Sequence, residues 1–335
     1  MTKIFVITLF SLIYIYLYYC ISKKIGKTIR ISGERENKDK TLLIVKNAEG
    51  EPDTIAKVAF QNKIDYVPKI SIIIHVNDIG KYFNKCIKTV ISQTLKEIEI
   101  ILIYNGPTYY SLDILKNYAK KDERITIILP ANSNNLCTFN AGLTVSKGKY
   151  IFFMDSNDFI ELNMMEEMSK KAYKEQSDIM ICQCKDYDLQ NELFNNQIVY
   201  NSLRFDLIPK RTFSSLEISK SIFQFSEGWV WDKIFRKDFI LSNNLKIQNT
   251  SNFNDNLFTY TALCLAKSIT TIENIFVFKR NAPKKSSYSI RNMEPHYLFS
   301  LFNKMKSNLE RVNLYNIMKF SYWNWVFTSC IMHLK

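Results

Sequence analysis

The sequence lacks any CxxC cysteine pair, although it contains seven cysteines. Without such pairs a zinc knuckle is not expected, and the odd number of scattered thiols argues against a disulfide framework. Cys182 and Cys184 lie two residues apart on a predicted strand and therefore share one of its faces, with no second ligand pair beside them. We predict that the cysteines are mostly buried, reduced core residues.

Histidines are scarce, and no nucleic-acid-binding module is recognisable. Of the three histidines, His75 ends a predicted strand and is the one that we consider for contact with a phosphate or substrate. His296 and His333 lie far along the chain, and we assign them no site. The basic residues give a formal net charge of +13 but are dispersed rather than striped, so we expect no nucleic-acid partner. The charge favours membrane surfaces or phosphorylated small molecules.

Residues 4–21 are almost wholly apolar and aromatic. At about 1.5 Å per residue, a helix of that length spans nearly the whole hydrocarbon core of a bilayer. We interpret residues 1–22 as an uncleaved transmembrane anchor, because no small-x-small cleavage site follows the apolar run. A cleaved signal peptide is the competing interpretation.

The side of the membrane stays open in the sequence. Lysines and an arginine that follow the apolar run favour a cytoplasmic body by the positive-inside rule. The sequon Asn249-Thr-Ser251 would instead fit a lumenal one. The predicted localisation is therefore a single-pass membrane protein of the ER, Golgi or plasma membrane.

Strands and helices alternate between Lys69 and about residue 184. Apolar runs predict strands at residues 70–76, 97–103, 124–129, 150–154 and 178–184, and amphipathic patterns predict helices between them. This alternation predicts an α/β fold with a mostly parallel sheet and helices on both faces. The charged segment 23–67 is interpreted as a stem or linker with a short strand at 42–45.

The alternation fades beyond residue 185. We expect a helix to begin within Trp229–Phe239, another to run from Asn254 to about Ala266, and a late strand at 268–278. From Glu294 onward the chain is predicted to be helical, with an aromatic patch near its end that could pack on the body or touch a membrane.

The stretch Tyr150-Ile-Phe-Phe-Met-Asp-Ser-Asn-Asp158 marks the candidate ligand site. Its apolar half is typical of a strand covered on both faces. The switch to polar residues at Asp155 places oxygen ligands at the carboxyl end of that strand. Ligands bind at that edge in open α/β sheets.

Several short motifs follow one another along the chain. They are Lys69-Ile-Ser-Ile-Ile-Ile, Cys86-Ile-Lys-Thr-Val-Ile-Ser-Gln-Thr-Leu-Lys-Glu-Ile-Glu-Ile100, Asn140-Ala-Gly-Leu143, Lys147-Gly-Lys-Tyr150, the Asp155 cluster, Trp231-Asp-Lys-Ile-Phe-Arg-Lys-Asp-Phe239 and Asn254-Asp-Asn-Leu-Phe258. In order and spacing they resemble the family 2 glycosyltransferases, which have the Rossmann-like GT-A fold. The resemblance implies a GT-A domain over residues 68–290, followed by a helical C-terminal extension over 291–335.

The resemblance also implies roles for individual residues. A nucleotide-sugar donor, most simply a UDP-sugar, would bind with a divalent cation (Mn²⁺ or Mg²⁺) that neutralises the leaving diphosphate. The acceptor would be a hydroxyl of a glycan, protein or lipid, deprotonated by a carboxylate as it attacks. The implied residues are Asp155, Asn157 and Asp158 for the metal, Asn105, Asp155 and His75 for the donor, Trp231 and Lys233 for the acceptor, and Asp255 as the general base.

Several donor-side positions depart from the family pattern. Asn157 stands where the metal motif has an aspartate, and an amide ligand brings no charge. Asn105 replaces the aspartate expected to meet the nucleotide base, and Phe139 replaces an arginine expected near the diphosphate. Two interpretations follow: an active, divergent inverting transferase, or a catalytically impaired GT-A domain that serves as a binding or assembly partner of an active enzyme.

Overall fold

The computed structural model describes residues 42–46, 52–77, 79–80, 82–106, 109–130, 138–188, 202–247, 254–281 and 295–334. No helix within these ranges is long and apolar enough to cross a membrane. The predicted anchor at 1–22 and the sequon at 249–251 lie outside the described residues, so both stay predictions.

One sheet of ten strands organises the described residues, in the order β1-β2-β5-β4-β3-β6-β9-β8-β10-β7. The strands are β1 (Leu42–Lys46), β2 (Pro52–Gln61), β3 (Ile70–Val76), β4 (Ile98–Tyr104), β5 (Ile125–Pro130), β6 (Tyr150–Asp155), β7 (Phe159–Ile160), β8 (Ile179–Asp188), β9 (Lys233–Arg236) and β10 (Ile269–Asn281). The helices are α1 (Phe83–Ile91), α2 (Tyr109–Lys121), α3 (Thr138–Val145), α4 (Met164–Glu175), α5 (Lys237–Ser242), α6 (Asn254–Leu265), α7 (Pro295–Arg311) and α8 (Tyr315–Leu334).

The centre of the sheet is parallel, as the sequence predicts. Strands β5, β4, β3 and β6 pair in parallel, and every residue of β3 and β4 is buried. Isoleucine dominates these strands, because a β-branched side chain packs well on a pleated surface that is covered on both faces. The predicted strands and helices between residues 70 and 184 are confirmed to within a few residues.

The remainder of the sheet is mixed, which corrects the expectation of a mostly parallel sheet. The short strand β9 inserts between β6 and β8 and is antiparallel to both, while β8 and β10 pair in parallel. The helix expected to begin within Trp229–Phe239 does begin there, at Lys237, and the residues before it, Lys233–Arg236, form β9, which was not predicted. A short apolar run does not distinguish a buried strand from a helix by its periodicity.

The segment interpreted as a linker also differs from expectation. Residues 42–46, where a short strand was expected, and 52–61 form β1 and β2, and β2 pairs antiparallel with β5 at one end of the sheet. In β2 the buried Ala56 and Val58 alternate with the half-buried Lys57 and Ala59, which suits a strand with one more exposed face. These residues belong to the sheet rather than to a stem.

The C-terminal helices pack on the segment that precedes β9. The Trp325 ring of α8 stacks on the Phe223 ring, with 5.2 Å between centroids, and the Ser321 hydroxyl donates to Oε1 of Gln224 over 2.6 Å. Tyr322 of α8 donates its hydroxyl to the carbonyl of Phe302 in α7 over 3.0 Å. The predicted helical C-terminus is confirmed.

The described cysteines are all free thiols and mostly buried, as expected.

Candidate active site

The carboxyl ends of β3 and β6 bring His75 and Asp155 together. The two residues are register partners in the parallel ladder, and the Ser156 N–H donates to the His75 carbonyl over 3.1 Å. His75 is buried, and no described residue hydrogen-bonds its Nε2. Burial lowers the pKa of this imidazole, and the Asp155 carboxylate opposes that shift. The predicted pair of donor residues therefore shares one corner of the sheet edge.

Asp155 is half-buried and closes a turn with Asn157. Its Oδ1 accepts hydrogen bonds from the backbone N–H of Asn157 over 3.2 Å and from its side-chain Nδ2 over 3.3 Å. The Asn157 side chain is exposed at the sheet edge. The structure thus brings together a carboxylate and an amide as the oxygen ligands nearest the end of β6.

Asp158 faces inward, away from this pair of ligands. Its buried Oδ2 forms an ion pair with Lys279 Nζ over 2.7 Å, and its Oδ1 accepts from the Arg280 N–H over 2.9 Å. Burial raises the pKa of Asp158 to about 6, although the Lys279 charge acts in the opposite direction. Because both oxygens have protein partners, we assign Asp158 to anchoring the end of β10 rather than to metal binding.

Lys279 lies between the Asp158 carboxylate and the ring of Trp231. Its Nζ lies 4.0 Å from the ring centroid of Trp231, which is a cation–π distance. Trp231 stacks in turn on Trp229, with 4.9 Å between centroids. The Lys279 charge also favours the ionised form of Asp255, against the larger effect of burial, which raises the pKa of that carboxyl.

Asp255 occupies the first turn of α6 and is half-buried. Partial burial raises its pKa to about 6, and this effect exceeds the opposing influence of Lys279, Lys233 and nearby backbone N–H groups. A carboxyl group with a pKa near neutrality suits a general base, because it is ionised at working pH and still takes up a proton readily. A negative charge at a helix N-terminus is also favourable.

The position of Lys233 does not suit the acceptor-binding role that the resemblance implies. Its side chain is 0% exposed, and Nζ donates to the Asp232 carboxylate over 2.6 Å and to the carbonyls of Glu227 and Trp229. A fully buried ammonium that is surrounded by three acceptors does not meet a substrate. It holds the 227–229 loop and, through it, the Trp229–Trp231 stack.

The turn that follows β4 lies against the end of β3. The Asn105 N–H donates to the Val76 carbonyl over 3.0 Å, and the Asn105 side chain is half-buried. At Gly106 an added Cβ would lie 2.4 Å from the Tyr104 ring and 2.5 Å from the Asn77 carbonyl, so only glycine fits there. Asn105 is therefore held at the same sheet edge as His75.

The altered position Phe139 serves packing. Its ring contacts His75 at 5.9 Å and Phe153 at 5.2 Å between centroids. The neighbouring Asn140 is buried and exchanges two hydrogen bonds with the backbone of Ile247. His296 is exposed on α7, and the side chain of His333 lies outside the described ones.

The oxygen-donor set fits a divalent cation that is shared with a phosphate. No group of three histidine, cysteine or acidic side chains that could hold a metal occurs within the described ranges. Mg²⁺ and similar cations commonly bind through one or two carboxylates together with substrate phosphates. Asp155 and Asn157 offer that kind of incomplete set.

Sequence reasoning missed Lys279 and Arg280. The Arg280 guanidinium lies 3.9 Å from the ring centroid of Tyr82, and its Nε donates to the Asn157 carbonyl over 2.9 Å. Both residues lie near the carboxyl end of a strand that pairs in parallel with β8. Two adjacent basic residues close to a strand end were the available signal, because ligands bind at that edge.

The chain was then compared with known proteins. The model of the family "Glycosyl transferase family 2" matches residues 71–238. A cholesterol galactosyltransferase of Borreliella burgdorferi is 30% identical over 254 residues, which cover 74% of this chain and 69% of that protein.

Solved glycosyltransferase structures share the fold. S. aureus TarS in complex with UDP-GlcNAc superposes with a TM-score of 0.59 at 16% identity, covering 75% of this chain and 71% of the other. A mannosyltransferase from Pyrobaculum calidifontis in complex with GDP-Man and Mn²⁺ gives a TM-score of 0.51 at 9% identity, covering 82% and 76%. The mixed α/β arrangement is thus that of GT-A proteins.

Proposed function

The chain belongs to glycosyl transferase family 2 and is a nucleotide-sugar-dependent glycosyltransferase, and we propose that it is an inverting enzyme that uses a UDP-sugar. The acceptor in this proposal is a hydroxyl of a glycan, protein or lipid, and residues 1–22 anchor the enzyme in a membrane. Family membership and the relatives support the active enzyme over the impaired domain.

One observation carries the proposal: Asp155, Trp231 and Asp255 converge on the Asp158–Lys279 ion pair. Asp155 acts electrostatically on Asp158, the Trp231 ring covers the Lys279 ammonium, and Lys279 acts on Asp255. Three separate parts of the chain therefore supply a donor corner, an aromatic wall and a base at one edge of the sheet.

Asp255 is the proposed general base. It takes the proton from the acceptor hydroxyl while that oxygen attacks the anomeric carbon of the donor. The bond from that carbon to the diphosphate oxygen breaks, and the nucleoside diphosphate leaves with the electron pair. Attack from the face opposite the leaving group inverts the configuration. Although its pKa is raised to about 6, Asp255 is still mostly ionised at neutral pH.

Asp155 and Asn157 are the proposed protein ligands of a divalent cation. When bound, such a cation supplies positive charge that stabilises the departing diphosphate. The chain itself holds the two ligands in one turn through the Asn157-to-Asp155 hydrogen bonds. His75, buried beside Asp155, and Asn105, on the turn after β4, are proposed to contact the donor from the sheet edge.

Two comparisons support the finer assignments. TarS is a structural neighbour that binds UDP-GlcNAc, which favours a uridine donor. The Borreliella relative is named for a sterol acceptor, which favours a lipid among the three acceptor classes. Trp231 is buried with Trp229 and Lys279 against its ring, and it is proposed to shape the acceptor pocket, whereas Lys233 holds the 227–229 loop.

Turnover with a panel of nucleotide sugars tests the proposal. The purified full-length chain, supplied with Mn²⁺, is expected to hydrolyse or transfer a UDP-sugar faster than a GDP-sugar. Release of the nucleoside diphosphate is the measurement. Complete inactivity across the panel would favour the interpretation of the chain as a catalytically impaired domain. A preference for a GDP-sugar would contradict the proposal that the donor is a UDP-sugar.

A further inference from the structure

Helix α8 carries an apolar stripe on its exposed face. The members of this α8 stripe are Ile317 (50% exposed), Phe320 (63%), Trp323 (53%), Phe327 (71%) and Ile331 (44%). Successive members are three or four residues apart, so they lie along one side of the helix. Large apolar side chains exposed in a continuous row mark an interaction surface rather than ordinary surface composition.

The opposite face of α8 already secures the helix to the body. Met318, Tyr322 and Trp325 are buried there, and Ser321 hydrogen-bonds to both Phe223 and Gln224. The α8 stripe is therefore not required for packing among the described residues. Trp323 is oriented within it by a hydrogen bond from Nε1 to the Tyr315 hydroxyl over 3.2 Å.

The charge carried by the stripe's own helix is positive. Lys319 is the one lysine or arginine of α8, which has no acidic residue, whereas Glu310 of α7 pairs with Lys306 over 3.7 Å. Lys319 is exposed and directly precedes Phe320 of the stripe. Tryptophan and phenylalanine on one helix face with lysine beside them are typical of helices that lie in the interface of an anionic bilayer.

We propose that the α8 stripe is a membrane-contact surface that inserts into the headgroup region of an anionic lipid bilayer. Charge complementarity favours lipid over a second copy of the chain. In a two-fold interface the same patch meets itself, so both copies would bring Lys319 to an apolar contact in which α8 offers no acidic partner. The bilayer instead offers acidic headgroups to Lys319 and acyl chains to the rings.

This inference does not depend on the identity of the donor or acceptor. It is also separate from the predicted anchor at residues 1–22, because an anchor could by itself account for membrane association of the whole chain. The experiment must therefore report on α8 itself rather than on membrane association of the whole chain.

Quenching of tryptophan fluorescence by brominated acyl chains gives that local report. The chain has four tryptophans, and Trp323 is more than half exposed whereas Trp231 and Trp325 are buried. The full-length protein is reconstituted in phosphatidylcholine–phosphatidylglycerol vesicles with and without bromine. We expect bromine to quench the wild type, Trp323→Phe to lose most of that quenching, and Trp325→Phe, on the buried face of the same helix, to keep it. If Trp325→Phe fails to fold, as judged by near-UV circular dichroism, Trp229→Phe takes its place.

A second pair of variants tests the depth of insertion. Phe327→Ser should reduce the quenching of Trp323, whereas Asn324→Ser, on the same exposed face, should leave it unchanged. Replacing phosphatidylglycerol with neutral lipid should weaken the quenching. Equal quenching in wild type and Trp323→Phe would overturn the proposal, as would no quenching at all. If a second copy or residues 4–21 covered the stripe, bromine would not quench the tryptophan fluorescence.

Discussion

The two halves of the site differ in the side chains that form them. The parallel strands β3, β4 and β6 are mostly apolar, with Ser71, His75 and Glu99 as buried exceptions, and the donor side has the neutral groups Asn105 and Asn157 at their ends. The segment from residue 226 to 281 contributes both partners of the buried Asp232–Lys233 ion pair and the lysine of the Asp158–Lys279 pair. The first half supplies a rigid edge, and the second supplies the electrostatics.

Asn157, a donor-side residue that departs from the family pattern, lies beside basic residues of the second half. The donor side has exchanged an aspartate for Asn157 and an arginine for Phe139, the latter now part of an aromatic cluster. The second half contributes Lys279 and Arg280 at the same edge, and both contact the Asn157–Asp158 turn. In the proposed function, positive charge near the leaving diphosphate would come from β10 as well as from a bound cation.

The largest effect should follow from removing the base in the charged half. Asp255→Asn should lower kcat about a thousandfold, because general-base catalysis contributes about 10² to 10⁴. Donor affinity should stay nearly unchanged, since Asp255 belongs to the acceptor side. Steady-state transfer assays with a UDP titration would show both. A collapse of donor binding would mean that Asp255 belongs to the donor site instead.

The next largest difference should be in the unfolding free energy that is lost when one ion pair is broken in each half. Lys233→Met leaves the fully buried Asp232 carboxylate without its partner and should cost about 3 kcal/mol of unfolding free energy. The matched control is Lys69→Met, which breaks the Lys69–Glu97 pair at the amino end of β3. That pair is 42% and 45% exposed, and its loss should cost less than about 1 kcal/mol. Equal costs in urea unfolding would contradict the contrast between the halves.

The pH profile tests the connection through Lys279. Asp255 must be ionised to act as a base, so kcat/KM should fall as the pH drops through about 6. Lys279→Met removes a positive charge that favours the carboxylate, and therefore the acidic limb should move to higher pH by about one unit. Lys279→Arg keeps the charge and should leave the limb in place. An unmoved limb in Lys279→Met would exclude Asp255 as the titrating group or Lys279 as its neighbour.

The smallest effect concerns the neutral ligand on the donor side. Asn157→Asp adds a second carboxylate beside Asp155 and should tighten Mn²⁺ binding by about fivefold to tenfold. Asn163→Asp, which adds the same charge at an exposed position at the start of α4, is the control. Calorimetry with UDP present measures both variants. Identical affinities would indicate that Asn157 does not face the cation.

Much of the apolar half could be predicted from the sequence. Isoleucine-rich runs with amphipathic segments between them left little choice for β3 to β6, and the switch from Met154 to Asp155 marked the end of a strand. Local pattern determines these elements, because each strand is long enough and uniform enough to show its burial.

The charged half could not be predicted in the same way. The four residues of β9 form a strand only because β6 and β8 lie on either side of them, which is a tertiary effect. The same holds for Lys233, whose acceptors include carbonyls of a loop, and for Lys279, whose partner Asp158 is 121 residues distant in the chain. Side-chain partners at such separations leave no periodic signal in a single sequence.

A calorimetric titration of the full-length chain with UDP, with and without Mn²⁺, tests the central claim most directly. If the edge formed by β3, β4 and β6 is a working donor site, UDP should bind, and Mn²⁺ should strengthen that binding, because the cation joins Asp155 and Asn157 to the diphosphate. Absence of UDP binding in both conditions would contradict the account. It would mean that the apolar half preserves the shape of a donor site without its chemistry.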